Sequence, residues 1–276
     1  MEEIKIFLEK LIYESTSKNI VFKRNILKEY FQILVLDYIY SNKNWNNLIF
    51  YGGSCLSHCY GLPRLSEDLD FISLNKNINI DKLSDELKIY FKNRGIDLIT
   101  KCQKFRIYLK FPILKELKLV KKSESNFLFL KIEIYSDFDF CKNYKIEVIP
   151  IFKFNKSVLI KTFDIETLMA TKLRAIFLRK WEKTTKNGKT IAKVKGRDYF
   201  DLMWYLEKGV KPNLFCLGVE NIKNFVDLKE NLKEIIEKLD EQSIKFDLEP
   251  LIEDERYVET LSRNIKDILK RNIEKI

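Results

Sequence analysis

Two short segments carry side chains whose types and spacing could do chemistry. Gly52-Gly53-Ser54 closes the apolar run Asn47 to Tyr51, and Asp68-Leu69-Asp70 opens a second, alternating run that continues to Leu74. Residues i and i+2 of a strand share a face, so Asp68 and Asp70 project together. Two carboxylates held side by side repel each other and require a cation, and hard oxygen ligands suit Mg²⁺ with a substrate phosphate completing its shell. Glycines let the backbone approach a ligand closely, and the N–H groups of the following helix start favour phosphate oxygens, with the Ser54 hydroxyl as a further donor. Taken singly, a DxD on a strand reads as an exposed polar edge and a Gly-Gly-Ser as an ordinary turn. Together they describe a site for a metal-bound nucleoside triphosphate, with Gly53 and Ser54 at the phosphates and Asp68 and Asp70 at the metal.

The elements that must position these residues are legible in the hydrophobic pattern. Ile4, Phe7, Leu8, Leu11 and Ile12 form a helical stripe, and Ile26 to Tyr40 forms a second, wider one. Residues 47–51 predict a strand, Ser54 to Tyr60 a short helix ended by Gly61, and residues 68–74 another strand. Asp81 to Arg94 is an amphipathic helix closed by Gly95, followed by strand-like stretches at 96–99, 105–111, 127–135 and 146–149. Such an order predicts an α+β fold with a mixed sheet covered by helices. After residue 163 the pattern becomes helical: Asp164 caps a helix to Lys180, Thr184 to Gly196 is a basic loop, Arg197 to Lys208 is a helix ended by Gly209, and residues 221–276 are helical around Pro250. The predicted organisation is a catalytic domain over residues 1–162 and an α-helical bundle domain over 163–276.

Composition narrows the class. The chain has 276 residues, 46% hydrophobic and 33% charged, with 8 Gly and 5 Pro, which excludes disorder and low-complexity architecture. Glu2, Glu3, Lys5, Glu9 and Lys10 break the first ten residues, unlike a signal peptide, and no apolar run is long enough for a membrane span, so a soluble cytoplasmic protein is expected. Five cysteines without a repeated C-x-x-C spacing support neither a disulfide framework nor a zinc site. The single histidine, His58, argues against multi-histidine metal centres; on a short helix it reads as a packed or surface residue. The net charge is +10, and between Lys172 and Arg197 ten basic residues face one acid, Glu182. A basic segment so concentrated suits a polyanionic partner such as nucleic acid or a nucleotide, or a solvated helix end and loop.

Residues 50–71, read as Phe50-Tyr-Gly-Gly-Ser-Cys-Leu and then Tyr60-Gly-Leu-Pro-Arg-Leu-Ser-Glu-Asp-Leu-Asp-Phe71, resemble the signature of the AbiEii/AbiGii nucleotidyltransferase toxins of bacterial abortive-infection systems. Leu168-Met-Ala-Thr-Lys-Leu-Arg-Ala175 and Lys195-Gly-Arg-Asp-Tyr-Phe-Asp-Leu202 resemble two later motifs of that family, so the likeness spans roughly residues 45–205. Ser54 stands where many members carry Thr, which keeps the hydroxyl, and the link Lys180 to Lys195 is longer than usual. The resemblance implies a polymerase β-like nucleotidyltransferase fold and transfer of a nucleoside monophosphate from an NTP with two Mg²⁺ ions. It implies a third carboxylate on a neighbouring strand, for which Glu133 is the candidate and Glu147 the rival. It also implies that Lys172 and Asp198 serve the nucleotide as catalytic residues. Arg64 and Ser66 read as shaping the loop before the paired aspartates on the nucleotide-binding side, with Arg64 a candidate phosphate ligand. The acceptor implied is tRNA or another RNA, with an antitoxin protein as partner of a type IV toxin–antitoxin system. Two alternatives remain open: nucleotidylation of a protein or small molecule, and a catalytically silent module that binds RNA or protein.

Overall fold

The computed structural model describes residues 2–75, 78–121, 123–179, 182–184 and 190–276. The chain divides into two compact units, one formed by residues 1–138 and 147–162, the other by 139–146 and 163–276. A single boundary after residue 162 was expected from the sequence; the segment 139–146 instead counts with the second unit.

The first unit is built on a seven-stranded mixed sheet. Its strands are β1 (Ile49–Tyr51), β2 (Asp68–Ile72), β3 (Ile99–Gln103), β4 (Arg106–Phe111), β5 (Leu128–Tyr135), β6 (Ile146–Lys153) and β7 (Lys156–Phe163), in the order β3-β4-β5-β2-β1-β7-β6. Helices α1 (Glu2–Glu14), α2 (Ile20–Ser41), α3 (Gly52–Tyr60) and α4 (Ile80–Lys92) complete it. Asn19 and Asn79 cap α2 and α4 by accepting from Val21 and Phe22 N–H and from Lys82 N–H. The apolar face of the sheet meets α2 and α4 in an aromatic core where Phe31 stacks on Phe111 at 4.0 Å and Phe91 meets both edge-on or tilted.

Two strands differ from the sequence reading. Residues 96–99 were expected to be a strand, but Ile96 and Leu98 are buried plugs after α4 and the strand begins at Ile99. β7 was missed altogether. Its hairpin turn is Phe154-Asn155 with φ of 50° and 57°, a left-handed pair usually signalled by Asn-Gly, so no glycine marks it.

The second unit contains α5 (Ile165–Leu178), α6 (Gly196–Glu207), α7 (Phe225–Glu237), α8 (Glu241–Leu248) and α9 (Glu255–Asn272). Asp164 caps α5 by accepting the Thr167 N–H at 3.2 Å. Tyr199, Phe200, Trp204 and Tyr205 of α6 are buried, so this helix forms the unit's core against α5, α8 and α9. Part of the expected basic loop pairs as β8 (Lys183–Thr184) and β9 (Thr190–Ala192); Lys180, Lys186 and Lys189 lie outside the described residues. Contrary to the cysteine reading, Cys141 and Cys216 form a disulfide. A separation of 75 positions gave no spacing signal, because the pair depends on segment 139–146 joining the second unit.

Candidate active site

The register of the sheet assembles the site. β1 runs antiparallel to β2, β2 parallel to β5, and β5 antiparallel to β4, with Tyr51 opposite Asp70, Asp70 opposite Glu133 and Glu133 opposite Arg106. One row across four strands is therefore Tyr51, Asp70, Glu133, Arg106, and the next holds Asp68, Lys131 and Tyr108. The alternate residues Leu69, Phe71, Leu130, Ile132 and Ile134 are buried in the core, so the polar face is fixed by the apolar one.

The glycines let α3 start against this face. Gly52 adopts φ +80°, and a Cβ there would sit 2.7 Å from the Asp70 Oδ2. A Cβ on Gly53 would meet Arg64 Nη2 at 2.6 Å and Ser66 Oγ at 3.2 Å. The two glycines thus admit one aspartate and the Arg64–Ser66 loop to the helix start, where side chains would block both. Ser54 is buried, and its hydroxyl donates to the Asp68 carbonyl, tying α3 to the strand of the paired aspartates. Arg64 is buried and donates to the Leu65 carbonyl at 2.9 Å, while the Ser66 carbonyl accepts from Gln32 Nε2 at 2.9 Å.

Glu133 occupies a cationic setting. It accepts from Arg106 Nε and from the Tyr135 hydroxyl at 3.0 Å, and Lys131 Nζ lies 3.3 Å away. Burial raises its pKa, but Lys131, Arg106 and the Tyr135 hydroxyl outweigh burial and hold the carboxyl below its ordinary value. Lys131 Nζ also lies 3.1 Å from Asp68 Oδ2. Burial lowers the Lys131 pKa, and the charges of Asp68 and Glu133 reverse this and raise it.

These contacts decide which residues fit a metal. Among the described residues no three His, Cys, Asp or Glu side chains cluster closely enough to hold one ion. Asp68, Asp70 and Glu133 share one face at neighbouring positions, and without a metal Glu133 Oε1 is held by Lys131 and Arg106 and its Oε2 by the Tyr135 hydroxyl. The rival, Glu147, is exposed on β6 and accepts from the Tyr60 hydroxyl at 3.0 Å. Asp68 and Asp70, on one face beside a glycine-opened helix start, remain a donor pair that fits a divalent ion with substrate oxygens in its shell.

In the second unit Lys172 is enclosed by carboxylates. Its Nζ lies 2.9 Å from Asp198 Oδ1 and 2.6 Å from Asp201 Oδ2, while Arg179 Nη1 reaches Asp198 Oδ2 at 2.8 Å. Asp198 is buried, which raises its pKa, yet Lys172, Arg179 and Lys195 outweigh this and hold it at about 2. Burial, followed by Arg197, lowers the Lys195 pKa to about 8. A cavity of about 450 Å³ opens beside this cluster, lined by Ile176, Arg179, Lys193, Lys195, Asp198 and Tyr199. The Asp201 contact, the Lys131 bridge and the Arg106 clamp were not anticipated. Only the alternation in Leu130-Lys-Ile-Glu-Ile-Tyr135 hinted at the second of these, since it puts Lys131 and Tyr135 on the face of Glu133.

A family model for the nucleotidyl transferase AbiEii toxin of type IV toxin–antitoxin systems matches residues 41–271, most of the chain, including Asp68, Asp70, Glu133, Lys172 and Asp198. The chain belongs to this family. It is accordingly a nucleotidyltransferase, with an NTP as its class of substrate. No curated protein matches the chain significantly. Among solved structures, JHP933 from Helicobacter pylori is similar at 20% identity and a TM-score of 0.47, covering 91% of this chain and 94% of that one. A candidate nucleotidyltransferase from H. pylori is similar at 20% identity and a TM-score of 0.45, covering 89% and 93%. The family member has no described helix long and apolar enough to cross a membrane.

Proposed function

We propose that this AbiEii-family enzyme transfers a nucleoside monophosphate from an NTP to an RNA acceptor, with tRNA as the first acceptor to test, and that the reaction requires Mg²⁺. The observation that carries the reading is the pairing of Asp68 and Asp70 on one face of β2 against the Gly52-Gly53 opening of α3. Asp68 and Asp70 would hold the divalent cation, which when bound supplies charge neutralisation at the reacting phosphate. The α3 start offers backbone N–H groups to the phosphates. Ser54 fixes the Asp68 strand through its carbonyl, and Arg64 supports the glycine turn from the other side. Glu133 serves in this reading by holding cations in place.

Support for an RNA acceptor comes from the charge distribution. Several cations of the basic segment are engaged within the second unit: Lys172 and Arg179 with Asp198, Arg197 with Asp247, and Arg174 with the Gly218 carbonyl. Lys183 and Lys193 are exposed. Lys172 and Asp198, which the family resemblance assigns to the nucleotide, are tested as a pair by exchanging each separately. As the toxin of its system the enzyme would be opposed by an antitoxin.

The test is incubation with each α-labelled NTP, Mg²⁺ and total cell extract. Label entering tRNA supports the reading. Label entering protein would redirect it to protein nucleotidylation, and no transfer from any NTP would leave a silent binding module.

A further inference from the structure

We propose that Lys131 is the resident counter-cation of Asp68, so that a divalent cation enters this site only by displacing the Lys131 ammonium. The inference rests on the metal-dependent reading of the paired aspartates and adds a regulatory consequence to it. Lys131 is the direct parallel-strand partner of Asp68, and its Nζ stands 3.1 Å from Asp68 Oδ2 and 3.3 Å from Glu133 Oε1. Glu133 cannot release it easily, because the same carboxylate is clamped by Arg106 Nε and by the Tyr135 hydroxyl at 3.0 Å. The lysine stem is also half-buried between its neighbours on the sheet.

The arrangement solves a problem that the sheet itself creates. Asp70 and Glu133 are direct neighbours across β2 and β5, and Asp68 is two residues from Asp70 on the same face. Three carboxylates on adjacent positions would destabilise the strand pairing. One ammonium between Asp68 and Glu133, with Arg106 on the far side of Glu133, compensates them without a metal. The same ammonium then opposes metal entry, since a divalent ion on Asp68 would lie within a few ångströms of a fixed like charge. Nucleotide phosphates bring the negative charge that offsets this opposition. Metal and nucleotide should therefore load together rather than metal first.

The experiment measures Mn²⁺ alone binding to the full chain, by the loss of the free-ion electron paramagnetic resonance signal. Lys131→Met should bind Mn²⁺ roughly tenfold or more tighter than the wild-type chain, the change expected when a like charge a few ångströms away is removed. Lys131→Arg keeps the charge and should bind as the wild type does. The melting temperature of Lys131→Met should fall without metal and recover with Mn²⁺, a response that Lys131→Gln should repeat. Equal or weaker Mn²⁺ binding by folded Lys131→Met and Lys131→Gln overturns the proposal while leaving the aspartate site intact. If Asp70→Asn binds Mn²⁺ as well as the wild type, the ion is not at the aspartates, and the functional reading fails together with this one.

Discussion

Individual side chains at the site act mainly by constraining one another. Asp70 lies against Gly52, where a Cβ would sit 2.7 Å from its Oδ2, so the glycine is what admits this carboxylate beside the helix start. Asp70→Asn should lower transfer of labelled NMP by about a hundredfold or more, the usual scale for losing a group that stabilises transition-state charge. Its melting temperature should be unchanged or higher, since one like charge beside Glu133 is removed; activity near wild type would detach Asp70 from the chemistry. His58 makes a different kind of prediction. Its Nε2 lies 3.0 Å from Gln32 Oε1 and its ring stacks near Phe50, and burial, followed by the Lys153 charge, lowers its pKa to about 3. The unfolded chain takes up a proton below the ordinary value near 6.5 while the folded one does not, so stability falls as pH drops from about 6.5 to about 3. The slope from this residue is about 1.4 kcal/mol per pH unit. Chemical denaturation at a series of acid pH values should show it, and His58→Gln should flatten that limb.

Between elements, side-chain pairs decide how helices lock. α5 and α6 are joined by Lys172 bridging Asp198 and Asp201 and by Arg179 on Asp198, all but Arg179 nearly removed from solvent. Gly196 at the start of α6 permits the close approach of α8, since a Cβ there would lie 2.7 Å from the Ile244 Cα. Asp198→Asn removes the carboxylate charge shared by Lys172 and Arg179, and it should cost about 3 kcal/mol, the lower end for breaking a buried ion pair. Urea titration at neutral pH checks this. The wild-type contribution is fully present above the ordinary carboxylate pKa of 3.8 and disappears as pH falls through about 2, so the variant and the wild type should converge in strong acid.

On the scale of the whole molecule, the disulfide is the feature with the largest expected effect. Cys141 and Cys216 both belong to the second unit, their bond closes a loop of 75 positions, and loop-closure entropy puts its contribution at about 4 kcal/mol. Melting with and without a reductant should show a clear fall on reduction, and Cys216→Ser should melt with the reduced protein irrespective of reductant. An equal melting temperature in both conditions, with two free thiols by mass, would show that the pair does not form in solution.

What the amino-acid sequence determined by itself was local and chemical. The strand–glycine–helix start at 49–60, the paired aspartates of β2, the Asp164 cap, the left-handed Gly95 just after α4 and the helical character after residue 163 all follow from patterns within a few residues. The motifs at 50–71, 168–175 and 195–202 likewise indicated the family that the model over residues 41–271 established. Tertiary structure decided everything that depends on register between distant strands. Glu133 has the right type and the right face for a metal ligand, but only pairing with β4 brings Arg106 onto it and only pairing with β2 puts Lys131 between it and Asp68. The Cys141–Cys216 bond was hidden for the same reason: it depends on contacts set by packing across the chain, and a period of two or 3.6 residues carries no information about which distant partner a strand or a loop will meet. The Phe154-Asn155 turn was hidden for a local reason, since no glycine marks its left-handed pair.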